Sequence, residues 1–292
     1  MALFSKESCV LCEKEAGALG RTKLTDKSSK LYICNDCVKT KLSPYVLPGY
    51  MSKADIDGHL VQREKDAEIY EQYFKDFSYP KVKELFTETP WGSWNLGKYE
   101  LRHHRESGYY CIWEPYPKEG QTFDVFHKDE AQGACIWGEY KVGSDVKILP
   151  DTTHMTLTEL KEYPDKDIQR LTLTIFTTHP YLSLIDIPMI TNGGKADANE
   201  RIRENALNIA DAFNKGLQEE LDEHKTTNKE FRQSAKETRK SLFGALKEGA
   251  FNEDAQAKVG TFLTQMQARK DTTTVDDRIA DLRRTNDPKS RF

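Results

Sequence analysis

Four of the six cysteines fall in two pairs, Cys9-Val10-Leu11-Cys12 and Cys34-Asn35-Asp36-Cys37, with 21 residues between them. That is close to the spacing by which two short knuckles bring four thiolates around one tetrahedral zinc ion. A single Cys-x-x-Cys pair is also a redox motif, but redox chemistry wants a βαβ context that so short a segment cannot supply. The spacing therefore predicts one structural Zn2+ per chain, held by Cys9, Cys12, Cys34 and Cys37. Between the pairs, Arg21 to Leu24 and Leu31 to Ile33 alternate like two short strands, with Asp26-Lys27-Ser28-Ser29 as the turn. This describes a small zinc ribbon over residues 1–50. A unit of that size buries too little apolar surface to fold robustly alone, so the metal is expected to supply its folding free energy. Four thiolates leave no open position for water or substrate, and the site should do no chemistry.

Several runs around these cysteines carry a resemblance. They are Met1-Ala2-Leu3-Phe4 before the first pair, Glu15-Ala16-Gly17-Ala18-Leu19-Gly20-Arg21-Thr22-Lys23-Leu24, and Tyr32-Ile33-Cys34-Asn35-Asp36-Cys37. Over about the first 45 residues the chain resembles the amino-terminal zinc-ribbon module of bacterial domain-of-unknown-function family 4428. The resemblance implies a structural zinc at the four cysteines and attachment to non-catalytic modules such as pleckstrin-homology-like domains, with no established activity. A glycine commonly follows the first Cys-x-x-Cys in that family; here the position is Glu13.

The remainder divides by pattern. Charged residues make up 31% of the 292 and mean hydropathy is -0.72, which predicts solvated helices or tails beside a core rather than one uniform globule. After Pro44 and Pro48-Gly49, Ser52 and Asp55 can cap a linker helix over 51–79, with Ile56, Leu60, Ile69, Tyr73, Phe74 and Phe77 on its packed face. Arg63, Glu64, Lys65, Asp66, Glu68 and Glu71 read as its solvated side, and Pro80 ends it. From Trp91 to Ile190 the period changes to two. Six to seven antiparallel strands are expected, among them Met155 to Leu160, forming a barrel or sandwich. Asp197-Ala198-Asn199-Glu200 then resembles a capping box before a helix carrying Ile202, Ala206, Ile209, Phe213 and Leu217. Strands closed by one helix are similar to a pleckstrin-homology-like domain, here 80–224. Residues 225–292 read as a helical, basic and partly disordered tail. Its apolar residues include Phe231, Phe243, Leu246, Phe262 and Leu263, with a short last piece at Ile279 and Leu282. The fold class is therefore α+β: a small four-cysteine zinc ribbon, linker helix, antiparallel β domain closed by a helix, and helical appendage.

Charge and residue chemistry narrow the function. The three stretches 1–50, 51–224 and 225–292 carry about +3, -12 and +5. With four thiolates and one zinc ion the ribbon retains only about +1, which weighs against a phosphate-binding surface. Lys98, Arg102, His103, His104 and Arg105 are the one candidate for a basic headgroup pocket, set in the acidic middle. Cys111 and Cys135 lie in predicted strands, where a free cysteine is usually a small buried hydrophobe. Cys111 would need His127, His154 or His179 for thiol catalysis. Nucleotide-binding glycine motifs are absent. No catalytic or organic-cofactor residue is assigned. Leu171 to Gly194 is interrupted by Pro180, Asp186 and Pro188, and the amino terminus has no signal-like apolar run, so a cytoplasmic protein without a membrane span is expected. The expectation is a non-enzymatic, zinc-binding interaction protein working through protein contacts, with self-association through the tail. The alternative is a nucleic-acid-binding accessory protein of a bacterium or phage.

Overall fold

Two small hairpins carry the amino-terminal cysteines. Strands β1 (Glu7–Ser8) and β2 (Glu15–Ala16) pair antiparallel, as do β3 (Arg21–Lys23) and β4 (Tyr32–Cys34). The computed structural model describes residues 6–26, 30–77, 91–114, 123–152, 168–191, 200–219, 221–222, 233 and 274–286. A seven-residue helix, α1 (Asn35–Lys41), follows β4 directly, and the sulfur of Cys34 caps it by accepting from the Cys37 amide. Helix α2 (Lys53–Tyr73) begins with the Ser52–Asp55 capping box that the sequence suggests.

The buried positions of α2 are Ile56, His59, Arg63 and Asp66, a stripe at helical spacing that is polar for three of its four members. The sequence pattern assigns Arg63 and Asp66 to the solvated side; instead they face the β domain, where Asp124 meets Arg63. At its start α2 completes the cysteine module: Ile56 and Leu60 share a cluster with Leu24, Ile33, Leu42 and Val46. At its end Tyr70 and Phe74 pack with Cys111, Phe123 and Val125. Gly58 sits mid-helix, where glycine ordinarily costs about 1 kcal/mol relative to alanine. A Cβ there would lie 2.0 Å from the Tyr181 hydroxyl, so the glycine is what lets that ring approach.

The β domain is two four-stranded antiparallel sheets. The first is a meander of β5 (Trp91–Leu96), β6 (Tyr99–His104), β7 (Tyr109–Trp113) and β8 (Asp124–His127). The second contains β9 (Ala131–Val142), β10 (Asp145–Thr152), β11 (Ile168–Thr177) and β12 (Leu184–Thr191), in the order β10-β9-β11-β12. The barrel alternative is therefore corrected: the sheets are open and, among the described residues, no ladder joins them. A 3-10 turn at Lys128–Glu130, capped by His127, separates β8 from β9, and β9 pairs with β10 and β11 instead. The two sheets share one core. Leu101, Ile112 and Phe126 of the first meet Ile136, Leu173, Ile175 and Ile187 of the second.

Helix α3 (200–219) joins this core through Ile202, Ala206, Ile209 and Ala210, as its period predicts. On the outer side of the second sheet lies α4 (Val275–Asn286), capped by Thr274 and Asp277. Val275 and Ile279 of α4 are buried against Cys135, Phe176, Leu217 and Leu221. This part of the basic tail is thus a folded helix of the same chain. The proposed strand at Met155–Leu160, the box at Asp197–Asn199, Pro80, and the tail residues Phe231, Phe243, Leu246, Phe262 and Leu263 lie outside the described residues. No described helix is long and apolar enough to cross a membrane.

Candidate metal centre

Each cysteine of the amino-terminal module is placed by a backbone turn. Cys9 follows β1 directly and bridges Tyr32, with its amide donating to the Lys14 carbonyl at 3.0 Å; Cys12 lies in the turn that follows. Cys34 ends β4, and Cys37 stands one turn into α1, so the i,i+3 spacing aims both sulfurs to the same side. The four Sγ atoms lie within 4.8 Å of one another, and Cys12 and Cys34 approach to 3.7 Å. A tetrahedron with metal–sulfur bonds of about 2.3 Å has sulfur–sulfur edges of roughly 3.8 Å. None of the six cysteines is joined in a disulfide. Cys9, Cys34 and Cys37 are buried and Cys12 is half-buried. Among the described residues, these four are the one group of cysteine, histidine and carboxylate donors close enough to share an ion.

Backbone amides point at the sulfurs. Leu11 and Cys34 donate to Cys9 Sγ at 3.4 and 3.3 Å, and Cys37 donates to Cys34 Sγ at 3.4 Å. Such donors stabilise a thiolate. For Cys9, burial pushes the thiol up, but the Cys34, Leu11 and Cys12 amides outweigh it and bring it down to about 6. Burial and the neighbouring thiols push Cys34 and Cys37 up. Four thiolates this close repel one another, so full ionisation calls for a cation at their centre. The donor set fits such an ion: soft, four in number and closed to further ligands.

Glu13, the residue after the first pair, has φ +61° while its amide donates to the Cys9 carbonyl at 2.9 Å. The knuckle therefore forces a left-handed backbone on a residue with a side chain, at a cost of roughly 1 kcal/mol.

The other candidates separate. Cys111 and Cys135 are fully buried, and burial pushes both thiols up, Cys135 to about 11. His127 Nε2 contacts the Ser107 carbonyl at 3.0 Å, and His179 Nδ1 accepts from the amides of Tyr181 and Leu182, so these rings serve loop structure. His154 lies outside the described residues. Three of the basic residues in and beside β6 are engaged by partners of their own. Lys98 pairs with Glu114, while Arg102 is buried on Glu100 and lies over the Trp113 ring. His103 stacks on Trp94 and Tyr110.

A buried polar network under α2 has no counterpart in the sequence reading. Ser43 donates its amide to His59 Nε2 at 3.1 Å, Gln62 donates to Asp66 at 3.0 Å, and Arg63 donates to Asp124 at 2.6 Å. Burial, with Arg63 and His179 nearby, holds His59 down at about 4. Its signal in the sequence is three polar residues, His59, Arg63 and Asp66, continuing the core spacing from Ile56, which becomes readable only once the covering sheet is known.

Compared with known proteins, the chain matches no protein-family model, no curated protein and no solved structure.

Proposed function

We propose that this chain is a non-enzymatic interaction protein whose amino-terminal ribbon is held by one structural zinc ion and which acts through protein–protein contacts. The observation that carries the reading is the closed four-sulfur cluster, with every pair of sulfurs within 4.8 Å and three of the four residues buried. A site of this kind contributes folding energy and offers no coordination position to a substrate. The resemblance of the first 45 residues to family 4428, and the likeness of the strand-then-helix order to a pleckstrin-homology-like domain, support the same reading. The burial of Cys111 and Cys135 supports a non-catalytic role.

The discriminating experiment is a titration of the metal-loaded chain with random duplex and single-stranded DNA across a salt series. The expected result is no salt-sensitive binding. Tight binding whose affinity falls steeply with salt would reveal phosphate contacts and replace this reading by a nucleic-acid one.

A further inference from the structure

Of the four outer strands in the two sheets of the β domain, three have neighbours. Helix α2 lies against β8, and β5 and β12 lie against each other. The outer side of β10 carries no ladder among the described residues. The tip of the β9–β10 hairpin also projects: residues 141–148 are all exposed, Val146 by 58% and Ile148 by 73%. An apolar, unpaired edge of this kind is a template for another strand.

The hairpin turn fixes which groups that edge offers. Gly143, at φ +64°, and Ser144 form a two-residue loop closed by Val142 and Asp145. Hydrogen-bonded and non-bonded pairs alternate from there. Asp145 and Lys147 therefore direct their amides and carbonyls at β9, while Val146 and Ile148 direct theirs outward. The side chains alternate too, with Val146 and Ile148 on one face and Asp145 and Lys147 on the other.

Charge then selects the occupant. In a two-fold, antiparallel pairing of β10 with the same strand of a second copy, centring on Val146 sets Asp145 of each chain opposite Lys147 of the other. On the other face the two Val146 and two Ile148 side chains adjoin. Centring on Asp145 or on Lys147 opposes like charges, and centring on Ile148 brings in Pro150, which has no N–H to give. Asp145 accepts from the Ser144 hydroxyl at 3.5 Å, and its carboxylate has further acceptor positions for the lysine.

We infer that β10 is a self-association edge, at which two copies of this chain join their second sheets by antiparallel pairing centred on Val146. No residue of the cysteine module takes part, so the inference goes beyond the proposed function and stands apart from the zinc reading.

Sedimentation equilibrium of the full metal-loaded chain over a dilution series tests it. The parent should pass from the mass of one chain, 33.6 kDa, to that of two as concentration rises. Asp145→Lys and Lys147→Asp should each weaken self-association by roughly tenfold or more, because like charges then meet at both symmetry-related positions. An equimolar mixture of the two variants should associate like the parent, since each supplies the charges the other lacks. Both substitutions lie on the exposed hairpin, and circular dichroism checks that the variants remain folded. A parent that stays monomeric at every concentration, single variants that associate like the parent, or a mixture no better than its components would overturn the inference.

Discussion

Arg63 in the middle of α2 and Asp124 at the start of β8 form an ion pair of 2.6 Å, with only 7% and 6% of their side chains exposed. They are 61 residues apart in sequence. The pair fastens the helix that completes the cysteine module onto the first sheet. Its geometry makes loss of one partner costly, because the other charge is left buried and unpaired.

Arg63→Met should therefore destabilise the chain by about 3–5 kcal/mol in urea denaturation. Arg63→Met combined with Asp124→Leu should recover most of that loss, since neither charge then remains buried. Equal destabilisation by the single and double variants would show that packing around Arg63, not the charge, matters.

Asp66 makes the stability of this interface depend on pH. Burial holds its carboxyl at about 7 in the folded chain, against about 4 for an unfolded one. Between those values the folded state binds a proton that the unfolded state has released, so this contribution to stability is lost as pH rises towards and through 7. Asp66→Asn keeps the acceptor for Gln62 and removes the titration. The stability of Asp66→Asn relative to the parent should grow by on the order of 2 kcal/mol between pH 5 and 7.5. His59, held down at about 4, acts in the opposite direction as pH falls from about 6.5. It is present in both proteins and cancels from the difference. A pH-independent difference would contradict the assignment.

Cys135 reports whether α4 stays docked. It is fully buried, and Val275 and Ile279 of α4 belong to the cluster that encloses it. Ile279→Asp places a charge in that contact and should release the helix. Native thiol labelling of the metal-loaded chain should then gain one fast-reacting cysteine. Protection of Cys135 in the variant would mean that α4 is not what covers it.

The cysteine module is legible in the sequence because ligand spacing is local: Cys-x-x-Cys needs only one turn to aim two sulfurs. The strands after Trp91 and the stripe Ile202, Ala206, Ile209 and Leu217 are legible because one apolar side repeats at the period of the element. Helix α2 misleads on one side. Its buried residues are polar, and nothing near Arg63 in sequence announces Asp124. Helix α1 escapes notice because it is seven residues long and capped by Cys34, one of the paired cysteines. For α4 the sequence marks a short piece at Ile279 and Leu282, but not its docking on the second sheet, because only Val275 and Ile279 are buried.

The strained knuckle gives a prediction of the opposite sign. Glu13→Gly relieves the left-handed backbone at φ +61° and should raise stability by up to about 1 kcal/mol, offset in part by the greater freedom of glycine in the unfolded chain. Thermal melts of metal-loaded parent and variant check it, and a lower melting temperature for the variant would count against the strain.

Elemental analysis of protein purified under reducing conditions decides whether the four amino-terminal cysteines hold zinc. One zinc per chain is expected, lost together with the ordered structure of the amino-terminal module when Cys34→Ser removes one ligand. Reduced protein that contains no zinc, or that pairs Cys9, Cys12, Cys34 and Cys37 into two redox-active disulfides, would contradict it.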